Sequence, residues 1–259
     1  MMNTPTVTWS KDKADAELLP YRDALKKTNR SARLAALYLH ASRIPGMCPE
    51  EKITKLYKVI SHGPRGDVVE IGSWWGKSAF VLAYLARLYY VGSVLCVDPW
   101  KDDELIQGVP HVDAASADLS AKEAFEIFKI NLLPYFPDGI VNYLPTTSAD
   151  AHAFYHGISL VHNTIRTREF GAVRYTGRIA LLHIDGNHAY DKVKLDVELW
   201  TPHVIPGGWV VIDDYDWRHG DGPRRVADEF LSDHTDFEPP ITGPRYFLAG
   251  GAMFIQVAK

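Results

Sequence analysis

The sequence predicts an α/β protein: a doubly wound, mostly parallel sheet with an N-terminal helical extension and a C-terminal antiparallel hairpin. Three observations predict it. Short β-rich runs alternate with helical stretches from Asp67 onward, acids stand at the ends of those runs, and residues 1 to about 62 carry only helical periodicity.

The helical extension reads as segments 14–27, 31–43 and 49–61, the last following the break Ile44-Pro45-Gly46-Met47. In the second segment Ala32, Leu34, Ala35, Leu37, Tyr38 and Leu39 recur at helical rather than alternating spacing. No chemistry is legible there, so residues 1–62 are expected to form a lid or a dimer face, the latter implying a homo-oligomer. Residues 63–259 are expected to form the main domain. It opens with the run 67–71, which ends at Gly72 and passes through a glycine-containing turn into a helical stretch at 77–90. A second apolar run, 93–97, ends at Asp98-Pro99. Strand, helix, strand is the right-handed unit of a parallel sheet.

Further strands are expected at 140–144, 179–184 and 209–212, with helices at 191–200 and 224–231. Val193, Val197 and Trp200 stand at i, i+4 and i+7, the stripe of a helix packed on a sheet. The runs 246–248 and 253–257 flank Ala249-Gly250-Gly251-Ala252, a hairpin-type turn, so the tail should be antiparallel. Two stretches, 100–120 and 155–178, fit no element. Loops this long inside a compact domain are usually functional, and both are expected to be substrate-side flaps.

Composition narrows the function. The 259 residues are 46% hydrophobic and 23% charged, enough apolar mass for a sizeable core. Lys plus Arg number 28 against 32 Asp plus Glu, a formal charge of -4, so no basic field gathers nucleic acid or anionic lipid. The expected partner is a small molecule. Cys48 and Cys96 are the only cysteines, and Cys96 lies in the apolar run Val94-Leu95-Cys96-Val97, which argues against a disulfide framework. The N-terminus has no apolar signal region, and no stretch approaches the roughly 18 apolar residues of a membrane span, so a cytoplasmic protein is expected.

Acids follow four of the expected parallel strands: Glu70, Asp98, Asp185 and the pair Asp213-Asp214. In an open α/β sheet the ligand crevice lies outside the carboxyl ends of the strands, so these acids should meet at one cleft. The turn Glu70-Ile71-Gly72-Ser73-Trp74-Trp75-Gly76 has the form E-x-G-x-x-x-G, and Asp98 follows about 20 residues later. In a nucleotide-type site glycine admits close backbone approach, the helix N-terminus supplies N–H donors, and the later acid accepts from ribose hydroxyls. The turn departs from the dinucleotide fingerprint, and bulky Trp74 and Trp75 would crowd a pyrophosphate, which disfavours NAD.

The set formed by this turn with Lys77-Ser78, Val97-Asp98-Pro99-Trp100, Ile184-Asp185-Gly186-Asn187-His188 and Gly207-Gly208-Trp209 through Asp213-Asp214 resembles class I S-adenosylmethionine-dependent methyltransferases. Within them it is similar to the metal-dependent O-methyltransferases of macrolide and aminocoumarin sugars. The resemblance runs from about Asp67 to the C-terminus and implies a Rossmann-like domain. It implies that Glu70, Gly72 and Gly76 border the methionine part of S-adenosylmethionine, with Ser73, Lys77, Ser78 and Asp185 among the cofactor contacts. Asp98 would hold the ribose and Ser148 would lie by the adenine. Asp185, Asp213 and Asp214 match that subgroup's three acidic metal ligands, and hard carboxylate oxygens suit Mg²⁺. Adjacent strand residues point to opposite faces, so Asp213 and Asp214 can share an ion only if the strand has ended.

His188, three residues past Asp185, is the expected general base, since an imidazole accepts a proton near neutral pH. His183 alternates with Leu182 and Ile184 and is expected to be a satisfied core group. Asp216, Arg218 and His219 are candidates to touch substrate. The function these expectations support is Mg²⁺-dependent methyl transfer from S-adenosylmethionine to a hydroxyl of a small natural product, a sugar or glycoside. The rivals are a metal-dependent hydroxylase-type enzyme on the same fold and a non-catalytic cofactor-binding partner subunit. A nucleic-acid methyltransferase is disfavoured by the charge balance and the absence of an N/D-P-P-Y/F tetrapeptide.

Overall fold

β-branched and aliphatic runs bounded by glycine, proline and acids become strands, and the longer periodic runs between them become covering helices. A computed structural model of the chain describes residues 11–28, 31–116, 119–158, 164–233 and 246–258. These divide into two compact units, Met1–Arg43 and Ile44–Lys259. The first holds α1 (Lys11–Lys27) and α2 (Ala32–Ala41). The second begins ahead of α3 (Glu50–His62), so the boundary expected at residue 62 lies inside it.

The second unit is built on a seven-stranded sheet. Its strands are β1 (Asp67–Ile71), β2 (Val94–Val97), β3 (Val141–Leu144), β6 (Ile179–Ile184), β7 (Val204–Ile212), β8 (Tyr246–Ala249) and β9 (Ala252–Gln256), in the order β3-β2-β1-β6-β7-β9-β8. The first five are parallel, and β9 runs antiparallel to both β7 and β8, as the tail predicts. The chain steps outward from β1 through β2 to β3, then returns to β6 on the other side of β1. That reversal opens a crevice beyond the ends of β1 and β6.

The helices are α4 (Lys77–Tyr89), α5 (Pro110–Ser116), α6 (Ala121–Leu132), α7 (Ser148–Ile158), α8 (Tyr190–Trp200) and α9 (Gly222–Asp233). Val69, Ile71, Leu182, Ile184, Val210 and Ile212 share one core with Val193, Val197 and Trp200 of α8 and Val226, Ala227 and Phe230 of α9. The alternate strand positions carry different chemistry: Glu70 and His183 stand opposite each other in the β1–β6 register, both fully buried. α3 packs beside α4 and β8.

Two expectations are corrected. The stretch 100–120 contains α5 as well as loop, and α6, which follows it, was not foreseen. The stretch 155–178 is not a substrate-side flap. It holds the end of α7 and the separate two-stranded sheet of β4 (Thr164–Thr167) and β5 (Gly171–Arg174). Buried Asn142 of β3 ties that hairpin to the sheet edge by donating to the carbonyls of Ile165 and Gly171, both at 3.1 Å. Residues 159–163, including His162, lie outside the described residues. Among the described residues no helix is long and apolar enough to cross a membrane.

Candidate active site

A cavity of about 670 Å³ lies where the sheet reverses, at the ends of β1, β2 and β6, within the size range of small-molecule sites. Gly72, Ser73, Lys77, Ser78, Asp98, Ser148, Asp185, His188 and Asp214 all line it. Most of the residues expected to act together are therefore brought together. The flap 100–120 also reaches it, through Lys101, Glu104, Leu105, Gln107 and Leu119.

The β1 turn is shaped by a close approach. Gly72 has φ +84, and a Cβ there would stand 2.1 Å from the Asp185 carbonyl oxygen, so only glycine lets the ends of β1 and β6 meet. Gly76 and Glu70, expected to border the cofactor, do not line the cavity. The space beside Gly76 is filled by Leu132 and Phe128 of α6. Glu70 is enclosed behind the wall, where Oε2 accepts from the Ser73 hydroxyl at 2.7 Å and Oε1 lies 3.1 Å from His183 Nδ1. A carboxylate on an inward-facing strand position is held by its neighbours and not offered to a ligand.

Asp98 at the end of β2 is gripped from both sides. Its Oδ2 accepts from the Trp74 N–H at 2.9 Å and its Oδ1 from the Trp100 N–H at 2.8 Å. Burial pushes its carboxyl up to about 6 against the pull of those backbone donors. Ser148, at the start of α7, accepts from the Trp200 indole at 2.8 Å, and Lys77 Nζ donates to the Gly46 carbonyl at 2.9 Å. Trp74 and Trp75 form part of the wall, whereas Trp100 packs against Phe125 and Phe128.

β7 ends at Ile212, and Asp214 takes a left-handed conformation with φ +53, so the strand has ended as a shared ion would need. The two acids nevertheless part. Asp214 Oδ2 lies 2.8 Å from His188 Nε2, beside the cavity. Asp213 turns inward, 3.3 Å from His183 Nε2 and in direct ion pair with Lys52 Nζ. His183 and Asp185 share a face because they are two apart, as do Val211 and Asp213. Their ligand atoms cluster: His183, Asp185 and Asp213 offer atoms within 4.8 Å of one another, and Asp214 is not in that group.

Lys52 was not foreseen. It comes from α3, its side chain is 2% exposed, and its ammonium lies 3.9 Å from Asp185 Oδ2 as well as on Asp213. The signal was a lysine among the buried residues Ile53, Leu56, Val59 and Ile60, on the apolar stripe of an amphipathic helix. Burial disfavours charge on Asp213, yet Lys52 and His183 hold its carboxyl well below the usual range. Burial likewise opposes a charged His183, but Asp213 and Glu70 outweigh it and raise the imidazole to about 10. Magnesium takes oxygen ligands at about 2.0–2.1 Å in octahedral array. Here the Asp213 oxygen carries an ammonium and an imidazole, and Asp214 is engaged elsewhere, so the expected set Asp185, Asp213 and Asp214 does not fit that ion.

His188, the expected base, is held on three sides. Asp214 holds Nε2, the ring lies against Trp217 with centroids 4.3 Å apart, and the Gln107 side-chain oxygen accepts from the His188 backbone N–H at 3.0 Å. Nδ1 is shielded from water and has no hydrogen-bond partner among the described residues. Asp216, Arg218 and His219 do not line the cavity. His219 Nδ1 instead lies 2.8 Å from His111 Nε2 of α5.

The comparisons agree with this geometry. The O-methyltransferase NovP is 20% identical, with 80% of each chain covered and a TM-score of 0.52. An O-methyltransferase from Bacillus cereus, in complex with SAH, is 13% identical over 96% of each chain, with a TM-score of 0.51. TomG, an O-methyltransferase from Streptomyces achromogenes involved in tomaymycin synthesis and in complex with SAM, is 14% identical, covering 98% of this chain and 93% of its own, with a TM-score of 0.51. These likenesses establish the fold. Among curated proteins no match is found. A family model described as a methyltransferase domain matches residues 69–215, more than half of the 259-residue chain and the segment that carries β1, β2, β6, β7 and the cavity acids. The chain belongs to the methyltransferase-domain family.

Proposed function

We propose that this methyltransferase moves a methyl group from S-adenosylmethionine to a hydroxyl of a small hydroxylated natural product, a sugar or glycoside. The single observation that carries the reading is His188, fixed by Asp214 through Nε2 and bare at Nδ1, on the wall of a cavity at the sheet reversal. The names of NovP and TomG, O-methyltransferases of the same fold, support transfer to oxygen.

The cofactor suits the cavity. Asp98, held by two backbone N–H groups, presents a carboxylate to ribose hydroxyls, Gly72 and Ser73 border the methionine part, and Ser148 lies by the adenine. Bound there, the cofactor supplies an electrophilic methyl on a sulfonium. The chain's own part is to align the acceptor and take its proton. Asp214 accepts Nε2–H from His188, which fixes the tautomer whose Nδ1 lone pair would receive the hydroxyl proton, once the ring shifts to open the shielded Nδ1 to the acceptor, as the oxygen–carbon bond forms and the sulfur–methyl bond breaks. A preset base and an apolar wall that excludes water lower the entropic cost of alignment. No step requires Mg²⁺, because Lys52 stands on Asp213 where such an ion would bind.

The test is a panel of hydroxylated sugars, glycosides and catechols incubated with S-adenosylmethionine, read by mass spectrometry for the gain of one methyl. The wild type should methylate at least one. On that acceptor His188→Ala should lower kcat by roughly 10²–10⁴-fold while its cofactor dissociation constant stays within a few-fold. Unchanged kcat removes His188 as the base.

A further inference from the structure

The acid cluster behind the cavity already contains a cation. Lys52 Nζ pairs directly with Asp213, lies 3.9 Å from Asp185 Oδ2 and donates to the Met47 carbonyl at 3.4 Å. The Asp213 oxygen that receives it also faces His183 Nε2 at 3.3 Å, and the other imidazole nitrogen faces Glu70. Three carboxylates are thus opposed by one ammonium and one imidazole, with Glu70, Asp213, Lys52 and His183 buried and Asp185 partly open to the cavity. The Asp213 oxygen that faces the cluster already carries the ammonium and the imidazole, and its other oxygen accepts from the Asp214 N–H at 3.0 Å, so a metal ion entering between Asp185 and Asp213 would compete with the ammonium for the same space.

The lysine is not free to leave. Gly250, at the turn between β8 and β9 with φ +58, packs so closely on α3 that a Cβ there would lie 2.7 Å from the Lys52 backbone nitrogen. The first turn of α3 is thereby clamped on the hairpin. Neighbouring Cys48 adds no charge, since burial raises its thiol to about 12. Withdrawing the ammonium would leave buried Asp213 and partly buried Asp185 with the His183 imidazole as their remaining cationic partner among the described residues, and loss of one partner from a buried ion pair is costly.

We propose that Lys52 is the resident cation of this cluster, a positioning residue that holds Asp213 and Asp185 in the place a divalent metal ion would take. The site binds no such ion until Lys52 is removed. The inference rests on the methyl-transfer reading only for what the site is used for, not for what fills it.

The experiment is a Mn²⁺ titration of the full-length protein, followed by electron paramagnetic resonance and by calorimetry, on the wild type, Asp213→Asn, Lys52→Arg, Lys52→Ala and Lys52→Ala/Asp213→Asn. The wild type and Lys52→Arg should show no stoichiometric Mn²⁺ binding. Lys52→Ala should gain one site at least about tenfold tighter than any wild-type binding, and the added Asp213→Asn should abolish it. A wild type that binds one Mn²⁺, lost on Asp213→Asn, overturns the proposal. Should Lys52→Ala lose its circular dichroism signature, Lys52→Met keeps the apolar stem in place and serves the same comparison, while the wild-type result decides independently. Cofactor binding is measured on the same samples. A wild type that fails to bind S-adenosylmethionine overturns the functional reading alone, and one that binds Mn²⁺ overturns this inference alone.

Discussion

His188 shows how much of the site is set by backbone placed in unusual conformations. Its partner Asp214 has φ +53, and Trp74 and Trp100, which grip Asp98 through their N–H groups, have φ 43 and 44. Left-handed backbone is costly for bulky side chains and persists only where the surroundings impose it. Here the Trp100 indole donates to the Trp74 carbonyl at 2.9 Å, linking the two residues that hold Asp98. Asp98 gives a pH prediction. Its folded pKa is raised to about 6 from 3.8, so the unliganded protein takes up a proton as pH falls through that window and gains stability from this group there. Ribose hydroxyls donate to the ionised form, so cofactor affinity should move the other way, falling as pH drops below about 6. Calorimetric titration across pH 5 to 8 checks this. A wild-type affinity flat across that range, or one that tracks Asp98→Asn, displaces Asp98 from the ribose.

At the scale of elements, strand alternation explains what was legible. The runs 67–71 and 179–184 stand as expected because apolar side chains occupy both faces of a covered parallel sheet. Their terminal acids were legible as a cluster because parallel strands end on one side. What alternation alone did not reveal was register: Glu70 meets His183 only because β1 and β6 pair at those positions, and no local pattern encodes a pairing between residues 113 apart in the chain. Hence Glu70 was expected at the ligand and is found behind it. α5 was missed because glycine, proline and acids mask short periodicity near Trp100, and α7 because 148–158 carries histidines among its apolar residues; α6 was legible, since Ala121, Ala124, Phe128 and Leu132 form a helical stripe behind the Ser120 cap. The meeting of β1 and β6 also yields a prediction. Gly72→Ala combines an unfavourable φ with a Cβ driven onto the Asp185 carbonyl, and should cost ~2 kcal/mol or more. Urea unfolding should show a lower midpoint together with weakened cofactor binding. A midpoint equal to the wild type means that the two strand ends are not in this contact.

At the scale of the whole molecule, the decisive matter is where the sheet-bearing unit begins. Sequence periodicity groups 49–61 with the preceding helices, since all are helical and none shows a motif. Packing groups α3 with the sheet, and the second unit accordingly starts at Ile44. Lys52 supplies the physical reason. Buried Glu70 and Asp213 with partly buried Asp185 at the end of a parallel sheet need counter-charge beyond that of His183, and Lys52 brings it on α3, locked under the C-terminal hairpin at Gly250. The site therefore joins residues from the two extremes of this unit with its centre. Two shortened chains separate the possible boundaries. A chain beginning at Ile44 retains Lys52 and should unfold cooperatively in urea and bind S-adenosylmethionine with an affinity near that of the full chain. A chain beginning at Gly63 lacks α3, leaves Asp185 and Asp213 without their ammonium and opens the apolar face of α4 and β8. It should lose several kcal/mol, roughly 3–5 from the unpaired buried charges alone, and be aggregated or unfolded at neutral pH. Cooperative unfolding of the Gly63 chain at the same urea midpoint as the Ile44 chain would place the boundary at 62 and make α3 a dispensable attachment.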